Sequence, residues 1–265
     1  MSGLRGGQIR DSTGRGIRAI KVSLSVLAAT AILQAVFVFV SGSVGLLADT
    51  LHNLGDAFTG VPLWIAFRLA RQYPTARFSY GYHRAEDAAG LLILLVILAS
   101  AVGAGYASVL RVMTPAPVRF PVLAMAAAAI GVIGNEAAAQ VRIRTGRAIG
   151  SAALVADGHH ARLDGLTSLA ALAGIVGALL GYPAADGWAG LVISVAILGI
   201  VWESGREVVH RFMDAIDPEI LRRLRAVALE VPGVRDVYEL RARWLGHHVF
   251  AELNVSVDPH LTVAE

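Results

Sequence analysis

Six long apolar segments govern what this chain can become. They run roughly over 18–41, 44–70, 84–112, 120–142, 150–180 and 184–210. At a rise of 1.5 Å per helical residue, each is long enough to cross a hydrocarbon core of about 30 Å. Turn residues separate them: Ser41-Gly42-Ser43, Tyr73-Pro74-Thr75, Thr114-Pro115-Ala116-Pro117, Gly146 to Gly150, and Gly181-Tyr182-Pro183. Charged residues make up only 16% of the chain, against about 25% in an ordinary soluble domain. The expected class is therefore an all-α membrane protein with the lipid bilayer as its solvent.

Arginine placement sets the orientation. The basic stretches are the N-terminus, the loop with Arg71, Arg77 and Arg84, the loop with Arg142, Arg144 and Arg147, and the C-terminal region. The 41–44 loop carries no charge and the 181–186 loop only Asp186. The positive-inside rule then puts both termini in the cytoplasm of a multi-pass inner-membrane protein. The same rule accounts for a sequence pI near 9.6, so nucleic acid is not an expected partner. Arg5, Arg10, Arg15 and Arg18 precede the first apolar run, and no small-residue cleavage site follows it. A cleaved leader is not expected.

Two apolar segments carry the same ionisable pattern. Asp49-Thr50-Leu51-His52-Asn53-Leu54-Gly55-Asp56 lies in the second, and Asp157-Gly158-His159-His160-Ala161-Arg162-Leu163-Asp164 in the fifth. Both read Asp-x-x-His-x-x-x-Asp. His52 and Asp56, like His160 and Asp164, are i and i+4 and share a helix face. Ionisable side chains at membrane depth cost at least about 2.5–3.5 kcal/mol each, so the two clusters need a compensating partner. A metal dication between the two helices is the simplest one. With no cysteine in the chain, such a site must use histidine and carboxylate. The antiparallel topology brings the clusters to similar depth. His52 to Asp56 fall about 12–18 Å into the second segment and His160 to Asp164 about 15–21 Å into the fifth. Asp49 and Asp157, one turn away, read as residues behind the ligands, as proton carriers or as packing partners. The bland alternative for all of them is a polar network that fuses helices.

Other polar residues carry quieter expectations. Asn135 and Glu136 read as structural hydrogen-bonders, and Arg162 as snorkelling or pairing with an acid on another segment. His159 points about 100° from His160 and reads as a packing or interface residue. Arg84 and Glu86 read as topology or salt-bridge residues, and His83 as interfacial. Residues 1–16, rich in Gly, Arg and Ser, read as a mobile arm, and 17–211 as the transmembrane domain. From 212 to 265 the character changes to a small, partial α/β domain. Asp217-Pro218-Glu219 starts a helix that stops at Pro232-Gly233. Two strands follow over 234–243 and 248–257, and a further helix begins over 261–265.

The chain resembles the cation diffusion facilitator family. The resemblance rests on Leu47 to Asp56, Tyr80-Gly81-Tyr82-His83-Arg84-Ala85-Glu86 and Ala156 to Asp164. It implies six helices followed by a ferredoxin-like cytoplasmic domain, in a homodimeric, proton-coupled metal exporter that works by alternating access. It also implies that His52, Asp56, His160 and Asp164 form the transport site, a set that usually marks Zn²⁺. Fe²⁺, Co²⁺, Ni²⁺ or Cd²⁺ would also suit His and carboxylate. Histidines that hold further metal in zinc-transporting relatives fall at Tyr82, Tyr238 and Asn254 here. His247, His248 and His260 are the histidines left to bind metal in the C-terminal domain. Two rival functions share the same residues: an intramembrane metalloenzyme with Asp49 or Asp157 as base, and a metal sensor that binds without transport. No His-Glu-x-x-His motif of zinc hydrolases is present.

Overall fold

The computed structural model describes residues 2–41, 60–114 and 120–262. Six helices come first: α1 (Ser2–Ser41), α2 (Gly60–Ala70), α3 (Arg84–Met113), α4 (Pro121–Ile149), α5 (Ala152–Leu179) and α6 (Ala185–Phe212). A short helix α7 (Pro218–Leu229) and the strands β1 (Val234–Leu245) and β2 (His248–Val257) follow. Among the described residues five helices are long and apolar enough to cross a membrane, and Gly60–Ala70 is a shorter apolar one. The rest of the expected second segment, with Asp49, His52 and Asp56, lies outside the described residues.

The N-terminal boundary differs from expectation. Residues 2–16, read from composition as a mobile arm, are the first turns of α1. Tertiary contact supplies what local composition does not. Thr13 and Ile17 are buried, and Gly16 lets the Phe67 ring approach so closely that a Cβ there would sit 2.9 Å from Phe67 Cζ.

Helix packing follows small residues. α4 and α5 run antiparallel from the tight turn at Gly150-Ser151. A Cβ on Gly158 would lie 2.6 Å from Ile143 Cγ1 and 2.9 Å from the Ile143 backbone nitrogen. Gly146 meets Val155 in the same way. In lipid, where tails are as apolar as leucine, such close backbone approach is what holds helices together. α1 packs on α4, and α3 on α6. The main apolar cluster joins Ile20, Phe67, Ile93, Leu154, Leu163 and Ile197.

The C-terminal unit matches the sequence closely at its start. The Asp217 side chain accepts a hydrogen bond from the Glu219 backbone N–H at 2.8 Å, with Pro218 at the first helical position. β1 and β2 form an antiparallel hairpin whose ends, Leu245 and His248, pair across a two-residue turn. Gly246 in that turn has φ +59°, the conformation required of a glycine in the first position of such a turn. Leu261 and Thr262 are not helical, and the rest of the helix expected from 261 lies outside the described residues.

The packing between α4 and α5 predicts that Gly158→Ala lowers the thermal unfolding temperature in detergent, at a cost of about 1–3 kcal/mol. Gly199→Ala on α6, where nothing lies within 4 Å of an added Cβ, should not lower it.

Candidate metal site in the helix bundle

α5 carries the described half of the repeated motif. Ser151 caps it: its hydroxyl oxygen accepts from the Leu154 N–H at 3.1 Å. Three turns on, His160 and Asp164 share a face, with Nδ1 and Oδ1 3.8 Å apart. His160 is 2% exposed. Ala161, beside it, belongs to a small apolar cluster with Leu27 of α1 and Ala138, Ala139 and Ile143 of α4. The pair thus sits within the bundle and not toward lipid. Its expected partners His52 and Asp56, with Asp49, lie outside the described residues.

Asp157, one turn before His160, meets a cation of a neighbouring helix. It is fully buried and forms an ion pair with Arg142 of α4, Oδ1 to Nη1 at 3.1 Å. The Arg142 Nε–H donates to Ser23 Oγ of α1 at 2.8 Å. One guanidinium therefore ties α1, α4 and α5 together. Sequence reasoning counted Arg142 as a loop charge, because the fourth segment was ended at 142, whereas α4 continues to Ile149. The signal that could have found it is position: Arg142 lies on an α4 helix face with Asn135, Ala138 and Ala139, all buried. Gly60 of α2 closes over the pair, where a Cβ would lie 3.2 Å from Arg142 Nη2 and 3.5 Å from Asp157 Oδ2. The second and fifth segments are therefore neighbours one turn below His160.

A second cross-helix pair matches expectation. Arg162 donates to both carboxylate oxygens of Glu136, at 3.0 and 2.8 Å, and Gln140 donates to Glu136 at 3.2 Å. His159 points elsewhere. It lines a cavity of about 430 Å³ between α4, α5 and α6, together with Arg147, Glu203, Glu207 and Arg211.

Among the described residues the C-terminal histidines His247, His248 and His260 do not come together around one point, and no three His, Asp or Glu side chains converge as ligands of one ion. His247 has both ring nitrogens engaged: Nδ1 with Glu86 Oε2 at 2.6 Å, and Nε2 with the hydroxyls of Ser12 and Thr13 at 3.1 and 3.4 Å. His248 stacks on His247 at 3.9 Å and meets His83 edge-on at 5.4 Å. His260 lies past the far end of β2, about 30 Å away at 3.4 Å per residue. Arg84, expected to make a salt bridge, pairs with Asp214 and donates to the Phe212 carbonyl at 3.1 Å.

Burial pushes the His248 pKa down to about 4, and the nearby His247 and His83 push the same way. Burial likewise lowers His83. Both rings are neutral near pH 7.

Residues 20–213 match the family described as the cation efflux transmembrane domain, and 216–265 the cation efflux protein cytoplasmic domain. A probable cation efflux system protein of Mycobacterium tuberculosis is 46% identical over 255 residues, covering 96% of this chain and 77% of the relative. Metal tolerance protein 2 of Oryza sativa subsp. japonica is 29% identical over 275 residues, covering 93% and 70%. The magnetosome protein MamB of Paramagnetospirillum magneticum is 27% identical over 235 residues, covering 88% and 79%.

Two outcomes follow. Removing one member of the buried ion pair strands the other, so Asp157→Ala or Arg142→Ala should each cost about 3–5 kcal/mol. The double variant should be less harmful than the sum of the two, as read by thermal unfolding. For His248 the folded state binds protons less readily than the unfolded one. Its contribution to stability is therefore fully present above about pH 6.5 and is lost as pH falls toward 4. Melting curves across that window should show His248→Asn with a shallower acid loss than the parent.

Proposed function

Because the chain belongs to the cation efflux family of membrane transporters, we propose that it exports Zn²⁺ in exchange for protons, through His52, Asp56, His160 and Asp164. The family exports divalent metal cations and is not a family of enzymes. The observation that carries the finer reading is on α5. His160 and Asp164 share one face inside the bundle. Gly60, four residues after Asp56, packs against Asp157, three residues before His160.

Two neutral imidazoles and two carboxylates suit Zn²⁺ as a tetrahedral set at about 2.0–2.2 Å. The carboxylate charges balance the dication, which removes most of the cost of desolvating it. Protons and metal compete for the same nitrogen and oxygen atoms. Loading from one side and protonation from the other then give exchange. The Asp157 charge is matched by Arg142, so the dication does not have to neutralise it. Four protein ligands without an open water position favour carrying over hydrolysis. The same donors accept Fe²⁺, Co²⁺ and Cd²⁺, so these belong in the assay.

We place the chain in the inner membrane with both termini in the cytoplasm, as its arginine distribution directs. Its C-terminal domain is of the dimerising type, and a homodimer is the working assembly. The exposed apolar face of the hairpin, with Leu253, Val255 and Val257, is suited to burial against a second copy.

The test is metal flux in proteoliposomes under an imposed pH gradient. Wild type should carry Zn²⁺ with counterflow of protons. His160→Ala and Asp164→Ala should each abolish it, and His159→Ala should leave it intact. Wild-type flux in the Asp164 variant would remove that residue from the site.

A further inference from the structure

A group of polar residues that the transport site does not absorb gathers where the turn of the C-terminal hairpin meets the helix bundle. Glu86, in the first turn of α3, is 2% exposed, and His247 is 5% exposed. Both oxygens of Glu86 are used. Oε1 accepts from the Ser151 hydroxyl at 2.5 Å, and Oε2 is paired with His247 Nδ1 at 2.6 Å. The Ser151 oxygen in turn accepts the Leu154 N–H and caps α5. On the other side, His247 Nε2 meets Ser12 and Thr13 of α1.

The turn is seated closely. The Gly246 backbone N–H donates to Asp87 Oδ2 at 3.2 Å. A Cβ on Gly246 would lie 2.6 Å from Glu86 Oε2 and 3.0 Å from the His83 carbonyl oxygen. A second link runs alongside: Arg211 of α6 donates to the Gly150 carbonyl at 2.6 Å, and its guanidinium lies 4.2 Å from the Trp244 ring centre.

We infer that Glu86 and His247 are positioning residues that lock the hairpin turn to the N-cap of α5, so that the metal-bearing helix moves productively only with the hairpin seated. This rests on the transport reading above. A tether alone would be served by the exposed pairing of Arg84 with Asp214. Here a buried carboxylate bridges the hairpin and the hydroxyl that starts the metal-bearing helix. Charge-assisted bonds of this length are short and directional. Between side chains as buried as Glu86, Ser151 and His247, they hold one arrangement or break, with little room between. His160 lies nine residues along α5 from Ser151, about 14 Å away.

The experiment uses the full chain in proteoliposomes, with Zn²⁺ flux against concentration, Zn²⁺ binding by calorimetry, and amide exchange. Glu86→Ala and His247→Ala should each lower maximal flux about tenfold while KM and the calorimetric Kd stay near wild type. The double variant should lose no more than either single one. Glu86→Gln, which can still accept from Ser151 and donate to His247, should recover most of the rate. Ser151→Ala should lose rate while exchange at residues 245–248 stays slow, and Ser151→Thr should restore it. This pair decides the matter if the alanine variants at 86 and 247 fail to fold. Amide exchange over 152–156 should quicken in His247→Ala.

Losses that multiply in the double variant would overturn the inference, as would a fall in rate that tracks a fall in Zn²⁺ affinity. So would unchanged exchange over 152–156 in His247→Ala. If wild type carries no Zn²⁺, the transport reading falls. The exchange result then still decides whether the turn and the start of α5 are locked together.

Discussion

An ionisable side chain between membrane helices has no water to fall back on, and the arrangement of this bundle depends on how each one is matched. Asp157 and Glu136 meet guanidinium groups, Arg142 and Arg162. These matches run between helices, so each also fixes a helix-to-helix position. Arg142 does so three ways, through Asp157 on α5, Ser23 on α1 and its own place on α4. Asp164 has the His160 imidazole as its i−4 neighbour. An acid already neutralised by arginine is a poor ligand for a dication, because the metal would have to displace a fixed cation. Asp157 and Glu136 are thereby structural acids, each holding two helices in place.

The helices were legible in the sequence because their signal is local. Apolar runs long enough to span a bilayer, turn residues between them, and Asp217-Pro218-Glu219 at the start of α7 all act within a few residues. β1 and β2 were legible for the same reason, the second through its alternation at Val249, Ala251, Leu253, Val255 and Val257. The face shared by His160 and Asp164 needs only the helical period. What could not be read were partners remote in sequence. Arg142 and Ser23 are 119 residues apart, and Glu86 and His247 are 161 residues apart. No periodicity reports such pairs.

Composition misled at the N-terminus, and for a physical reason. A stretch of Gly, Arg and Ser has little apolar surface to bury and favours disorder by itself. In α1 the small residues are what allow burial: Gly16 admits the Phe67 ring, and Ser12 and Thr13 supply hydroxyls to His247. At the adjacent His247 and His248 the remote partners also matter: both ring nitrogens of His247 are engaged by protein groups, Glu86 on one side and Ser12 and Thr13 on the other.

α5 gathers these constraints onto one helix. Its first turn is capped by Ser151, whose hydroxyl also meets Glu86. Its second turn carries Asp157, fixed by Arg142. Gly158 then brings its backbone against α4 at Ile143. Only beyond these three anchors do His160 and Asp164 follow. A side-chain pair mounted this way stands on a backbone held by three contacts below it. Such a pair can change its surroundings only if α5 moves with α4, to which it is fused by glycine contacts and two arginine–carboxylate pairs. The chemistry of the site and the mechanics of the bundle are therefore set by the same few contacts: close approach where there is no side chain, and matched charge where there is one.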